Sequence, residues 1–400
     1  MTFESFKFSK GIFDAIQKMG YSKPSQIQQD AIPIILDGND VLAAAQTGTG
    51  KTASFTLPLL QRLIDSPSSG KRRIRALVLA PTRELAAQVH ENVRELSQFL
   101  DLKTAVIFGG VSEKPQITQL NNGVDILIAT PGRLLDFYNR RICSFDALEF
   151  FVLDEADRML DMGFIHDIKR IIKSLPFNRQ SLFFSATFSD QIRQLAQQFL
   201  KDPVEVSVAV KNTTVAAIEQ SVCPVEKSKK AAILTHLIQD NQWYQALVFT
   251  RTKHGANKLT KYLDRNGIQS AAIHGNKSQG ARTKALAEFK SGKLQILVAT
   301  DIASRGLDID QLPQVVNYEL PDVPEDYVHR IGRTGRAGAT GCAISLVCEE
   351  ESKQLFQIER LINQSIKRTS IPGFEVDERI LRKPKKDHRS KRFSKFRKRR

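Results

Sequence analysis

The sequence predicts an α/β protein of two related halves, each a parallel sheet flanked by helices. Three observations predict it. Short apolar runs alternate with helix-period segments along most of the 400 residues, the pattern of parallel strands joined by crossover helices. Ala76-Leu77-Val78 is followed fifty residues on by Ile126-Leu127-Ile128-Ala129-Thr130, and the pair recurs, shifted by 170 positions, as Ala246-Leu247-Val248 and Ile296-Leu297-Val298-Ala299-Thr300. The length also suits two or three domains, each able to bury its own core.

In the first half the expected strands are 41–45, 76–80, 104–108, 125–129, 150–153 and 181–184, with helices such as 83–100 and 189–200 between them. The second half supplies 245–249, 270–273, 295–299, 315–318 and 343–347. Asp202-Pro203 ends a helix, and Lys211-Asn212-Thr213-Thr214 is polar and aperiodic, which places the boundary within 204–218. The expected organisation is a domain at 1–206, a linker at 207–217, a domain at 218–365 and a basic, largely disordered tail at 366–400.

Composition narrows the classes. The chain is 41% hydrophobic and 26% charged, as in globular proteins in water. No apolar stretch reaches the roughly 20 residues of a membrane span. The N-terminus lacks a basic region followed by an apolar core, so no signal peptide is expected, and the localisation read from this is cytoplasmic. Cys143, Cys223, Cys342 and Cys348 form no metal-binding spacing and read as reduced packing residues. The net charge of +16 is uneven: residues 382–400 carry twelve Lys or Arg against Asp387 alone, a net of +11. Like charges at that density cannot bury a core, and they suit a polyanion, with nucleic acid favoured over acidic lipid. Phe393 and Phe396 stand among them and can stack on bases.

Chemistry enters at two strand ends. Ala45-Gln46-Thr47-Gly48-Thr49-Gly50-Lys51-Thr52 follows the run 41–45 and fits the phosphate-loop pattern, with Ala45 in place of the first glycine. Backbone N–H groups and the following helix N-terminus would hold phosphates, Lys51 would reach the β- and γ-phosphates, and the Thr52 hydroxyl would bind Mg²⁺. Asp154-Glu155-Ala156-Asp157 ends the run 150–153, where two carboxylates are costly without a cation or phosphate chemistry. Asp154 would act on the Mg²⁺ side, and Glu155 would orient or deprotonate the attacking water. Loop and carboxylates together describe a nucleoside triphosphatase.

With these motifs the chain resembles the DEAD-box RNA helicases of superfamily two, from about Phe3 to about Leu361. The resemblance is closest to the bacterial RhlE-type subgroup, through 163–168, 252–257 and Ile371-Pro372-Gly373-Phe374. It implies two tandem RecA-like domains and an RNA-dependent ATPase that unwinds or remodels RNA locally and non-processively. Ribosome assembly and RNA turnover are the settings it suggests, with proteins of either as partners and the chain a monomer.

The resemblance also implies roles residue by residue. Adenine recognition falls to 20–28: Gln28 would read the N6/N7 edge, and Tyr21 would stack on the ring with Phe3 behind it, although core packing also accounts for both aromatics. Ser185 and Thr187 would hydrogen-bond Asp157 through their hydroxyls and couple ATP to domain closure. In His329-Arg330-Ile331-Gly332-Arg333-Thr334-Gly335-Arg336, Arg333 and Arg336 would be arginine fingers and His329 would order them. Asp308 would contact the ribose. RNA contacts are implied for Pro81, Thr82, Arg83, Gly109, Gly110, Thr130 and Arg133 in the first half. In the second half they fall to Thr250, Arg251, Gly275, Gln279, Arg282, Thr300 and Asp301. None of these sets is a base-edge reader, so the core should bind RNA through its backbone. An ATP-gated clamp or annealing chaperone, and a DNA helicase of the same superfamily, are the rival readings.

Overall fold

The computed structural model describes residues 1–45, 49–67, 70–186, 188–208, 218–304, 309, 312–334 and 341–376. These fall into two compact units, one up to Val208 and one from Ile218.

The first unit is built on a seven-stranded sheet: β1 (Val41–Ala44), β2 (Ala76–Leu79), β3 (Thr104–Ile107), β4 (Ile126–Ala129), β5 (Phe150–Leu153), β6 (Gln180–Ser185) and β7 (Val204–Ser207). Their order is β3-β4-β2-β5-β6-β1-β7, and each pairing is parallel. Parallel neighbours cannot be joined by tight turns, so helices make the crossovers and cover both faces. Alternate residues sort cleanly. Val41, Val78, Ile128, Val152 and Phe184 pack on one face with Ile32, Phe55 and Val89. Leu42, Leu77, Leu127, Phe151 and Phe183 pack on the other with Leu134, Ile168 and Ile192.

The second unit repeats the plan. Its strands are β8 (Ile218–Pro224), β9 (Ala246–Phe249), β10 (Ser270–Ile273), β11 (Ile296–Ala299), β12 (Gln314–Asn317), β13 (Gly341–Val347) and β14 (Lys367–Arg368). Their order, β10-β11-β9-β12-β13-β8-β14, reproduces the first sheet strand for strand. The 170-residue echo is therefore the β2/β4 pair returning as β9/β11, each pair in direct register.

Each of the eleven expected strands forms, with its ends within two residues of those expected. The helix expected at 83–100 ends at Leu96, where Ser97 caps it. Three strands were not foreseen: β7, β8 and β14. β7 lies in the stretch read as boundary and buries only Val206, so no alternation betrays it. β14 is two charged residues on the sheet edge, paired with β8. Residues 366–374, read as the start of the tail, pack on this unit: Ile366 and Ile371 are buried, and Phe374 stacks against His236. The four cysteines are free, and Cys143, Cys223 and Cys348 are buried. Among the described residues no helix is long and apolar enough to cross a membrane.

Candidate ATP and RNA sites

Strand order decides what can meet. In open parallel sheets ligands bind beyond the carboxyl ends of the strands. Here that edge of the first sheet carries Thr49–Thr52 after β1, Pro81–Arg83 after β2, Gly109 and Gly110 after β3, Thr130–Arg133 after β4, Asp154–Asp157 after β5, and Ser185 at the end of β6. The order β3-β4-β2 then β5-β6-β1 gathers the expected RNA residues on one side. It gathers the expected ATP residues on the other, although β1 and β6 lie about 140 residues apart in sequence.

On the ATP side, two opposite charges are buried and idle. Lys51, the first residue of helix 51–65, is 6% exposed, and its Nζ has no hydrogen-bond partner among the described residues. Asp154 is 3% exposed, and its Oδ1 is likewise unpartnered among them. Burial pushes the Asp154 carboxyl up to about 6, with Lys51 pulling it down and Glu155 repelling it. An orphaned ammonium and an orphaned carboxylate oxygen are what a phosphate and a divalent cation respectively would satisfy. The residues present thus fit Mg²⁺, which Asp154 and the half-buried Thr52 would hold. Mg²⁺ keeps most of its shell as water and phosphate, so one carboxylate and one hydroxyl suffice.

Glu155 turns the chain from β5 into helix 156–161 with φ 52°, a left-handed conformation that costs a non-glycine residue free energy and that clusters at functional sites. Its buried carboxylate pairs with Arg158 one helical turn on. Arg158 was not singled out from the sequence; its i+3 spacing from Glu155 was the available signal. Asp157 accepts hydrogen bonds from the backbone N–H of Arg158 and, at 2.9 Å, from that of Ala186. The expected link to the end of β6 is therefore made, but by the backbone. The Ser185 hydroxyl is buried and makes no hydrogen bond among the described residues, because it lies on β6 itself and the chain offers its next N–H instead. Thr187, like Gln46, Thr47 and Gly48, lies outside the described residues.

Gln28 reaches the phosphate loop directly. Its Oε1 accepts from the Ser25 N–H at 2.9 Å and its Nε2 donates to the Gly50 carbonyl at 3.1 Å. Gly50 sits at φ 89°, and a Cβ there would lie 2.5 Å from Gln28 Nε2, so this contact needs glycine twice over. Each end of the amide retains one further hydrogen-bonding position. Tyr21 and Phe3 stack with ring centroids 6.3 Å apart; Phe3 is buried and Tyr21 half-buried.

On the RNA side, Thr82 caps helix 83–96 by accepting from the Leu85 N–H. The Arg83 guanidinium lies across Gly110, where a Cβ would meet it at 2.2 Å. Arg133 donates to the Val111 carbonyl and stacks over Phe137. Gln116 ties the 108–112 turn through Phe108 and Ser112, a holding residue that its helix period did not announce. Pro81 and Thr130 are buried at the strand ends, and Gly109 has open space beside it.

The second sheet offers the same edge. Arg251, after β9, donates its N–H to Glu319 and pairs with Asp322 at 3.3 Å. Thr250 is buried, Gly275 exposed, and Gln279 and Arg282 are half-buried on helix 279–290. Buried His274, after β10, accepts from the Asn276 N–H through Nδ1, so Nε2–H faces Asn257. Thr300 and Asp301 follow β11, but both Asp301 oxygens are held by Arg330, at 2.5 and 2.7 Å. Asp301, expected at RNA, is thus tied to the arginine motif. Arg330 is 2% exposed, also donates to Asn317 and the Glu319 carbonyl, and lies over Phe249. It was passed over in favour of its neighbours, and it is the residue that roots helix 324–331 to the sheet. Arg333 is 5% exposed and His329 half-buried; Arg336 and Asp308 lie outside the described residues.

Two seven-stranded parallel sheets, one ending in a phosphate loop beside acidic residues, define a nucleoside triphosphatase of two RecA-like domains. The comparisons with known proteins place it further. Residues 25–195 match the DEAD/DEAH box helicase model and 229–338 the helicase conserved C-terminal domain. The chain is 42% identical over 374 residues to the DEAD-box ATP-dependent RNA helicase CshA of Geobacillus kaustophilus, covering 94% of this chain and 79% of that one. It is 41% identical over 370 residues to the ATP-dependent RNA helicase RhlB of Pseudomonas syringae pv. tomato, covering 91% and 93%. Among solved structures it is similar to S. cerevisiae Dbp5 bound to RNA and ADP BeF3, at TM-score 0.82 and 32% identity over 92% of this chain and 95% of that one. It is also similar to Mss116p bound to ssRNA and AMP-PNP, at TM-score 0.83 and 29% identity over 94% and 80%. The chain belongs to the DEAD-box family of ATP-dependent RNA helicases.

Proposed function

We propose that this helicase uses ATP to close its two units on RNA and to separate short duplexes locally, without processive travel. The observation that carries the reading is the idle pair of buried charges, Lys51 Nζ and Asp154 Oδ1, at the end of a sheet edge sorted into ATP and RNA sides. Lys51 binds the β- and γ-phosphates. Thr52 and Asp154 would hold Mg²⁺, which would supply charge neutralisation at the phosphates. Glu155, fixed by Arg158, orients the attacking water. The remaining donor and acceptor of Gln28 read the adenine edge, Tyr21 covers the ring and Asp308 takes the ribose. Arg333 and Arg336 from the second unit meet the charge developing on the γ-phosphoryl group, with His329 ordering them.

RNA lies along the β3-β4-β2 and β10-β11-β9 ends, held by its backbone. Because both units grip one strand only when closed, RNA favours closure and hydrolysis by linkage. The Asp157–Ala186 bond connects the acidic strand end to β6 and the chain beyond it. The basic residues of 382–400 add sequence-indifferent affinity. A cytoplasmic monomer acting in ribosome assembly or RNA turnover is the setting we infer, and the RhlE-type motifs support that subgroup. A Glu155→Gln variant tests the reading: it should keep ATP and RNA affinity while turnover falls about a hundredfold or more. Undiminished turnover would remove Glu155 from the chemistry.

A further inference from the structure

At the ligand edge of the second sheet, Arg251 is ringed by acids. β9 and β12 are neighbours in that sheet, so Arg251, two residues beyond β9, stands beside the turn 318–323 that follows β12. Carboxylates from Glu319, Asp322 and Glu351 converge on it.

Two of these acids hold the arginine in place. Glu319 accepts from the Arg251 N–H at 2.8 Å. Glu351, 1% exposed, lies 3.9 Å from the guanidinium and is already occupied. It pairs with buried Lys230 at 2.5 Å and accepts from the Leu320 and Cys348 N–H groups at 3.0 and 3.2 Å. Asp322 is different. Its side chain is 73% exposed and accepts from the guanidinium at 3.3 Å, where Arg251 is itself 30% exposed. Two cations, Arg251 and Lys230, thus face three carboxylates, an excess of negative charge at a residue expected to meet phosphates.

We propose that Asp322 holds the place of an RNA phosphate on Arg251, pairing with the guanidinium when RNA is absent and giving way when a phosphate arrives. This rests on the reading of Arg251 as an RNA contact. Carboxylates and phosphates both present oxygen pairs to the guanidinium fork, so the two compete for it. Asp322 is not needed to fix Arg251, because Glu319 and Glu351 do so from the protein side. An exposed pair of this kind contributes little, so a phosphate can displace it. The acid therefore lowers RNA affinity by a modest, set factor and favours release of the strand.

The test uses the full chain with saturating AMP-PNP and a fluorescein-labelled single-stranded oligouridine, read by anisotropy. Asp322→Asn should tighten RNA binding about three- to fivefold. It should also steepen the slope of log affinity against log salt by about 0.7, because the phosphate no longer releases a carboxylate that gathers a counterion. Glu325→Gln, at an exposed acid three residues on, should change affinity less than about twofold. Arg251→Gln should weaken RNA binding, and adding Asp322→Asn to it should change affinity less than about twofold. Urea titration of Trp243 emission checks that each variant folds. If Arg251→Gln weakens RNA binding but Asp322→Asn does not tighten it, the competitor role is overturned and Arg251 stays an RNA contact. Equal tightening with and without Arg251, or by Glu325→Gln as much as by Asp322→Asn, would reduce Asp322 to general repulsion and overturn the role too. Parental affinity in Arg251→Gln would overturn the RNA reading of Arg251, and the proposal with it.

Discussion

Gly50→Ala isolates the link between the Gln28 amide and the phosphate loop. At φ 89° an alanine carries a backbone cost of about 1–2 kcal/mol. Its Cβ would also stand 2.5 Å from Gln28 Nε2 and 3.0 Å from Ser25 Oγ, so the amide must swing away. That breaks the Gln28–Gly50 and Ser25–Gln28 hydrogen bonds, each contributing about 1 kcal/mol. The single substitution should therefore cost about 3–4 kcal/mol and lower ATP affinity. In a Gln28→Ala background the clash has no target and only the backbone cost remains, about 1–2 kcal/mol. A double-mutant cycle should then show coupling of about 1–2 kcal/mol. The assay is urea unfolding of the four nucleotide-free proteins, followed by hydrogen exchange in helices 26–36 and 51–65. Additivity within about 0.5 kcal/mol would show that a Cβ at position 50 does not disturb the Gln28 amide.

Two further outcomes are expected in the second unit, where Trp243, the chain's one tryptophan, is packed in the core and reports unfolding. Arg330→Ala should destabilise this unit by about 3 kcal/mol in a urea titration, because it leaves Asn317 and the Asp301 carboxylate unsatisfied; a loss under about 1 kcal/mol would show that the network is incidental. Burial, with Lys277, Lys253, Arg282 and His254 nearby, holds His274 below its ordinary 6.5. As pH falls toward and below 6.5 the unfolded chain takes up a proton that the folded unit resists, so stability should decline as the pH falls through that range. His274→Gln should flatten that slope, and an unchanged slope in the variant would exclude the histidine as its source.

Much of the fold was legible because the signals were local and repeated. Buried parallel strands read as apolar runs, and the echo at 76/126 and 246/296 carried the duplication that the two strand orders display. The edge strands β7 and β14 were not legible, although the opposite edges β3 and β10 were. β7 buries one residue of four and β14 consists of Lys367 and Arg368, so neither has a pattern to read. At the site, motifs named the chemistry but not the partners that hold it. Glu155's mate is Arg158, Asp157's is the backbone of Ala186, and Asp301's is Arg330. Such contacts depend on where a chain turns after a strand. Within 329–336 the motif pointed to Arg333 and Arg336, and nothing in the run marks Arg330 as the most deeply buried arginine. The sorting of ATP and RNA residues along one edge was also invisible, since it follows from strand order rather than from any single segment.

On the function proposed above, the second unit completes the ATP site of the first only when RNA holds both. Steady-state ATPase of the full chain, with and without a single-stranded RNA, tests this most directly. RNA should raise kcat at least about tenfold, and Arg333→Ala should retain ATP binding while losing the stimulated rate. An RNA-free rate equal to the RNA-stimulated one, or an Arg333→Ala variant that RNA stimulates as fully as the parent, would contradict it.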